Sequence, residues 1–262
     1  RNYIKSGQRH TRKLMIISHE HKFIFIKTAK TGGSTIENIL GNHLGDKDVA
    51  SGSGYHDVNN RKVRYTHKQN FIRFDYPTVL GGYSHVPASF LYRKYFKGKR
   101  PKDYFVFTIE RNSYDKAISH WWWHQHTKRF YKRQRPTGIT LRQHLTDLLE
   151  SHHAHNHLSC WWRYTEPPSF TDFNVDMVYQ YHEWNSMWQD LAKRFSIKIN
   201  MESTESVRFK DSKKPFEHYS HAYKDNEQEL VDQLCEQEIK HFGYKFDDQL
   251  GDQEIHYFGY DL

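Results

Sequence analysis

The chain has 262 residues, enough for one sizeable domain with a true core or at most two small ones. Its formal charge of +8 points to an anionic partner, and aromatic residues make up 16% of it, so the core is expected to rest on Phe, Tyr and Trp. No apolar run approaches the roughly 20 residues of a membrane-spanning helix. The two cysteines, Cys160 and Cys235, form no CxxC pair, which leaves a disulfide framework or a structural zinc site without support. They read as two buried thiols in a reducing compartment.

Residues 1–21 are polar and basic and read as a lead-in. "KFIFIK" (Lys22–Lys27) suits a strand, "TAKTGG" a turn, and "STIENIL" a helix whose hydroxyls can cap it and whose Glu37 suits its dipole. Residues 44–75 show no clear period and read as a long loop region with short strands. "TVLGGYSHV" (Thr78–Val86) reads as a short strand ending near His85. "YFVFTIE" (Tyr104–Glu110) is the clearest buried strand, and "RNSYDKAISHWWWHQ" runs from it through a loop into a helix. "TLRQHLTDLLESH" (Thr140–His152) is an amphipathic helix. "DMVYQYHEW" contains a strand, "NSMWQDLAKRF" a helix, and "EQELVDQLCEQEIKHFGY" (Glu227–Tyr244) one more helix. Strands alternating with helices predict an α/β domain with a central parallel sheet flanked by helices, over 22–246. Residues 247–262 are an extension in which "DQLGDQEIHYFGYDL", from Asp248, repeats "DQLCEQEIKHFGYKF", from Asp232.

A strand that ends in a Gly-rich turn and feeds a helix makes an anion site, because backbone N–H groups converge at the helix N-terminus. In the first such unit, Gly32 and Gly33 permit close backbone approach, Lys30 reaches the same anion, and Thr31, Ser34 and Thr35 add donors. No lysine follows the glycines, as a Walker loop would require. In the second unit Arg111 stands at the strand end, where open α/β sheets bind ligands, with Ser119 eight residues on. Taken alone, an Arg so placed is more often a structural ion pair than a ligand contact. "HHAHNH" (His152–His157) reads as a solvated helix end rather than a metal site.

"KTGGST" and "RNSYDKAIS", in that order, resemble the two phosphate-binding motifs of sulfotransferases that use 3′-phosphoadenosine 5′-phosphosulfate (PAPS), nearest to the carbohydrate and heparan sulfate O-sulfotransferases and their bacterial relatives. Ser113 and Lys116 depart from the family's proline and arginine. The resemblance implies a P-loop-like sulfotransferase fold and a metal-free transfer of a sulfuryl group to a hydroxyl, most naturally on an anionic glycan or sugar conjugate. It places the 5′-phosphosulfate on Lys30–Thr35 and the 3′-phosphate on Arg111 and Ser119. "RFKDSKKPF" is similar to the cofactor loop, which brings in Arg208, Lys210, Ser212, Lys213 and Lys214. His85 is the expected general base, with His56 and Asp57 in reserve, and Lys30 the residue that offsets charge on the leaving phosphate. One face of the Trp121–Trp123 run, or of Trp161 and Trp162, could line the acceptor cleft, although core packing explains them as well. The alternative reading is a P-loop kinase or nucleotide-binding protein using Mg-ATP, for which Glu110 is the only obvious acidic candidate; no nucleic-acid-binding motif is present. No secretory signal and no N-x-[ST] sequon are visible, so a cytoplasmic location is expected, with the Golgi lumen as the alternative and the true start left open.

Overall fold

The computed structural model describes residues 15–45, 47–50, 86–126, 138–150, 158–169, 171–200 and 214–247. Among the described residues five strands form one sheet: β1 (Ile16–Ser18), β2 (Phe23–Ile26), β3 (Val49–Ala50), β4 (Phe105–Glu110) and β5 (Met177–Gln180), in the order β3-β1-β2-β4-β5. β2, β4 and β5 run parallel, in register Phe25–Phe107 and Phe107–Met177. β1 and β3 are antiparallel additions on one side, so the sheet is mixed rather than wholly parallel. β1 also corrects the extent of the lead-in. Met15, Ile16 and Ile17 are buried, and the four-residue apolar run Leu14–Ile17 inside a basic stretch is too short to show a period.

β2 is buried on both faces because helices cover both. The period of two sorts its side chains. Phe23 and Phe25 face one layer with Phe107, Ile109 and Tyr179. Helix α1 (Gly33–Gly41) gives that layer Ile36, Ile39 and Leu40. Ile24 and Ile26 face the other layer with Val106 and Ile17, under α2 (Ala88–Tyr95) and the short α5 (Trp161–Tyr164). Further helices are α3 (Ser113–His126), α4 (Leu141–Glu150) and α6 (Trp184–Phe195). α6 presents Trp184, Met187, Trp188, Leu191 and Phe195 to the first layer at helical spacing. Phe195 stacks on Phe23 with ring centroids 4.6 Å apart, so the aromatic core expected from composition is present. α3 and α4 form a third cluster with α7 (Glu227–Leu234).

The single helix expected over Glu227–Tyr244 is two: α7 and α8 (Glu236–Phe242), separated at Cys235. No proline or glycine marks the break. Cys235 is fully buried with φ −127°, and the turn it makes lets Glu238 point inward. Both cysteines are buried free thiols. Among the described residues no helix is long and apolar enough to cross a membrane.

Candidate anion-binding site

The parallel strands β2 and β4 deliver their following segments to the same edge of the sheet. After β2 the chain turns through Lys30 (φ 62°) and Gly32 (φ 73°), both left-handed, and enters α1 at Gly33. A side chain rarely adopts the left-handed region, so Lys30 is strained. At Gly32 the lack of a Cβ serves packing too, since one would lie 3.0 Å from the Tyr181 ring and 3.1 Å from Trp184. The expected hydroxyl cap on α1 is not used: Gly32 is the cap residue, and its carbonyl accepts from the N–H of Thr35 (2.9 Å) and Ile36 (3.3 Å). The first N–H groups of α1, starting at Gly33, therefore point out ahead of the helix.

The loop is held from below by residues whose role the sequence did not reveal. Lys27 is buried and donates to Glu37 Oε2 (2.7 Å) and Ser34 Oγ (3.2 Å). Glu37 is thus an ion-pair partner in the interior, not a first-turn residue answering the helix dipole. Thr28 Oγ1 donates to the Ile109 carbonyl (2.5 Å) and meets Thr31 Oγ1 at 2.7 Å. Thr31 is fully buried, so its hydroxyl belongs to the β2–β4 junction and only its backbone is offered to the loop. The Ala29 N–H points down to Cys160 Sγ at 3.3 Å. Burial pushes the Cys160 thiol up, which keeps that sulfur neutral.

Arg111 follows β4 directly. Its guanidinium is paired with Asp115 through Nε and Nη2, donates from Nη1 to the Lys30 carbonyl (3.5 Å) and lies 4.2 Å from the centroid of the Tyr181 ring. Asp115 also receives Lys214 Nζ at 3.2 Å. Lys30 Nζ lies 5.4 Å from the centroid of a Trp123 ring on α3. Lys30, the Gly32–Gly33 turn, Arg111 and Lys214 are in this way joined by direct contacts. Asp115, Ser119 and Trp123 recur every four residues of α3 and so share the face turned to the loop. Ser119 is half-buried on that face, with no described contact to Arg111. Among the described residues, Arg111 and Lys214 meet one carboxylate, Asp115, and Lys30 stands over the neighbouring Trp123 ring, an excess of positive charge that suits a multiply charged anion.

Beneath Arg111 lies a second buried ion cluster. Glu110 Oε1 accepts from Lys116 Nζ (2.6 Å) and from the Arg111 backbone N–H (2.9 Å), and its Oε2 accepts from Tyr164 (3.0 Å). Glu238 Oε1 stands 4.0 Å from Lys116 and accepts from the N–H groups of Cys160 and Trp161. Burial opposes the Lys116 ammonium, but Glu110 and the groups around it outweigh that and hold it protonated above the usual lysine range. Lys116 is therefore a core ion-pair partner. Asp115 and Lys116 were both visible in the sequence; the spacing of four from Arg111, in the loop before α3, to Asp115 in its first turn was the available signal.

His85, His56, Asp57, Arg208, Lys210, Ser212 and Lys213 lie outside the described residues, as do the strand expected over 78–85 and the His152–His157 run. Of the Trp121–Trp123 run, Trp121 packs against the third cluster and donates to the Ile139 carbonyl, Trp122 meets Phe216, and Trp123 faces Lys30. Trp161 is a core residue of the second layer. No family model matches this chain, and neither a curated protein nor a solved structure matches it.

Proposed function

We propose that this chain transfers a sulfuryl group from PAPS to a hydroxyl of an anionic carbohydrate. The observation that carries the reading is the contact between Arg111 and the Lys30 carbonyl: the two segments that resemble phosphate-binding motifs lie against each other at the ends of neighbouring parallel strands. The residues fit such a group in charge and in shape. The Gly32–Gly33 turn allows close approach, the start of α1 offers N–H donors, and Lys30, Arg111 and Lys214 outnumber Asp115. Thr31 fits only through its backbone, because its hydroxyl is buried.

PAPS would supply the sulfuryl group and a phosphate as leaving group. Lys30 and the first N–H groups of α1 hold the 5′ end and offset charge on the departing oxygen. Arg111 and Lys214, with Ser119 on the same side of α3, hold the 3′-phosphate. His85 would accept the proton of the hydroxyl to which the bound PAPS would supply its sulfuryl group. A Mg-ATP site would need an acidic metal ligand at a strand end. Glu110, the candidate, is fully buried and committed to Lys116, Arg111 and Tyr164, which counts against that reading.

Calorimetric titration with 3′-phosphoadenosine 5′-phosphate in a chelator, against ATP with Mg²⁺, tests the proposal. Micromolar metal-independent binding is expected, weakened about 10- to 100-fold in Arg111→Gln, as for a lost charged hydrogen bond. His85→Ala should bind normally and lose turnover. Binding of ATP-Mg²⁺ alone would overturn the sulfotransferase assignment.

A further inference from the structure

Residues 232–246 occur again, sixteen positions on, as residues 248–262, a segment outside the described residues. The first copy fills a slot between α3, α5 and the end of β5. Asp232 accepts from Tyr114, and Leu234 is buried beside α3 and α4. Glu238 is fully buried, 4.0 Å from Lys116, and accepts from Ser159 and from the first N–H groups of α5. Ile239 packs on the third cluster, and Phe242 meets Trp161 and Phe173. Gly243 ends α8 at φ 68°, and Tyr244 donates to Gln180 at the end of β5.

The second copy keeps every one of these: Asp248, Leu250, Glu254, Ile255, Phe258, Gly259 and Tyr260. Its differences fall elsewhere. Glu236, Lys240, His241 and Lys245 are exposed in the first copy, and these are the positions that change, to Asp252, His256, Tyr257 and Asp261. Tyr257 keeps an aromatic ring where His241 meets Phe173 edge to face, and Leu262 keeps an apolar group where Phe246 packs on Tyr114. Only Cys235, replaced by Gly251, is a buried exception. Four of the six differences fall at exposed positions, while exposed Gln233 and Gln237 recur together with the inward-facing residues.

We propose that residues 248–262 are a second occupant for the slot held by residues 232–246, interchangeable with them within one chain. Entry of the second copy loops out the sixteen residues 232–247. Loop closure grows only slowly with length, but it favours the first copy as the resident, as does the loss of the Cys235 side chain from the core. The exchange brings Cys235 out of the interior and leaves Cys160 where it is.

Glu238→Lys, which sets a second cation against buried Lys116, evicts the first copy. The full chain carrying Glu238→Lys should fold as a monomer, with Cys235 labelled by a thiol reagent under native conditions and Cys160 protected, as read by mass spectrometry. The wild-type chain should show neither cysteine labelled. Adding Glu254→Lys should abolish folding, because neither copy then fits. The proposal fails if the Glu238→Lys chain unfolds as completely as the double variant. It fails equally if that chain folds with Cys235 still protected, since the slot would then have tolerated its original occupant.

Discussion

A β-carbon on Gly33 would stand 2.7 Å from Cγ of Lys27 and 3.0 Å from its Cε. Those are stem atoms of a side chain pinned at its tip by Glu37 and Ser34, so Lys27 yields only by leaving its buried partner. Gly33→Ala should therefore destabilise the protein by about 1–3 kcal/mol, as overpacking does, in spite of the better helix propensity of alanine. Denaturant unfolding reads this directly; a midpoint at or above the parent's would show that Lys27 is not fixed. The glycine pair suggested in the sequence that backbone comes close to something at this point. In the fold that something is, for Gly33, the lysine just after β2, and, for Gly32, the rings of Tyr181 and Trp184. No local spacing connects Lys27 to Glu37, or Gly32 to Tyr181, which is why these supports were not legible.

Among the elements, β4 carries the most. It is hydrogen-bonded to parallel strands on both sides, and its last residue, Glu110, ties it to α3 through Lys116. Lys116→Met would leave that carboxylate buried without its cation, a change that costs roughly 3–5 kcal/mol. Because Glu110 also accepts the Arg111 N–H, the variant should bind an anionic nucleotide more weakly even where it remains folded. Adding Glu110→Gln should recover much of the stability, since an ion pair replaced whole costs little. A single variant as stable as the parent would show that the pair contributes nothing. The strand–turn–helix units β2–α1, β4–α3 and β5–α6 were readable because short stretches rich in aromatic and β-branched residues end at polar turns that lead into helical patterns. β1 was not, because it is three residues long, and the α7–α8 break was not, because a cysteine rather than a glycine makes it. The two loop motifs announced themselves, but the neutralisation of Arg111 by Asp115 at the site depends on a rotamer that spacing alone leaves open.

At the scale of the whole molecule, phenols are built into every layer. Burial is the first cause that pushes the hydroxyls of Tyr92, Tyr95, Tyr114, Tyr164, Tyr179, Tyr223 and Tyr244 above their ordinary value, Tyr95 to about 12. A pKa raised by folding means that the unfolded chain releases its proton first. The associated stability is intact below about pH 10 and lost as pH rises through the folded values. Ultraviolet titration at alkaline pH should show a first group of accessible tyrosines ionising normally. The buried group should ionise only together with loss of the circular dichroism signal. One smooth transition for all tyrosines, with structure retained, would contradict the burial described.

Lys30 and Trp123 give the protein an optical gauge of its own. The ammonium at 5.4 Å from the indole centroid is held by the ring's negative face. An anion bound at the turn competes for that charge and draws it off the ring, so the emission of one tryptophan should change with occupancy. Trp123→Phe should remove the change while binding continues, and Lys30→Gln should silence it in the otherwise native chain. A light signal that follows the anion, in a protein with seven tryptophans, would then be traceable to a single residue of α3.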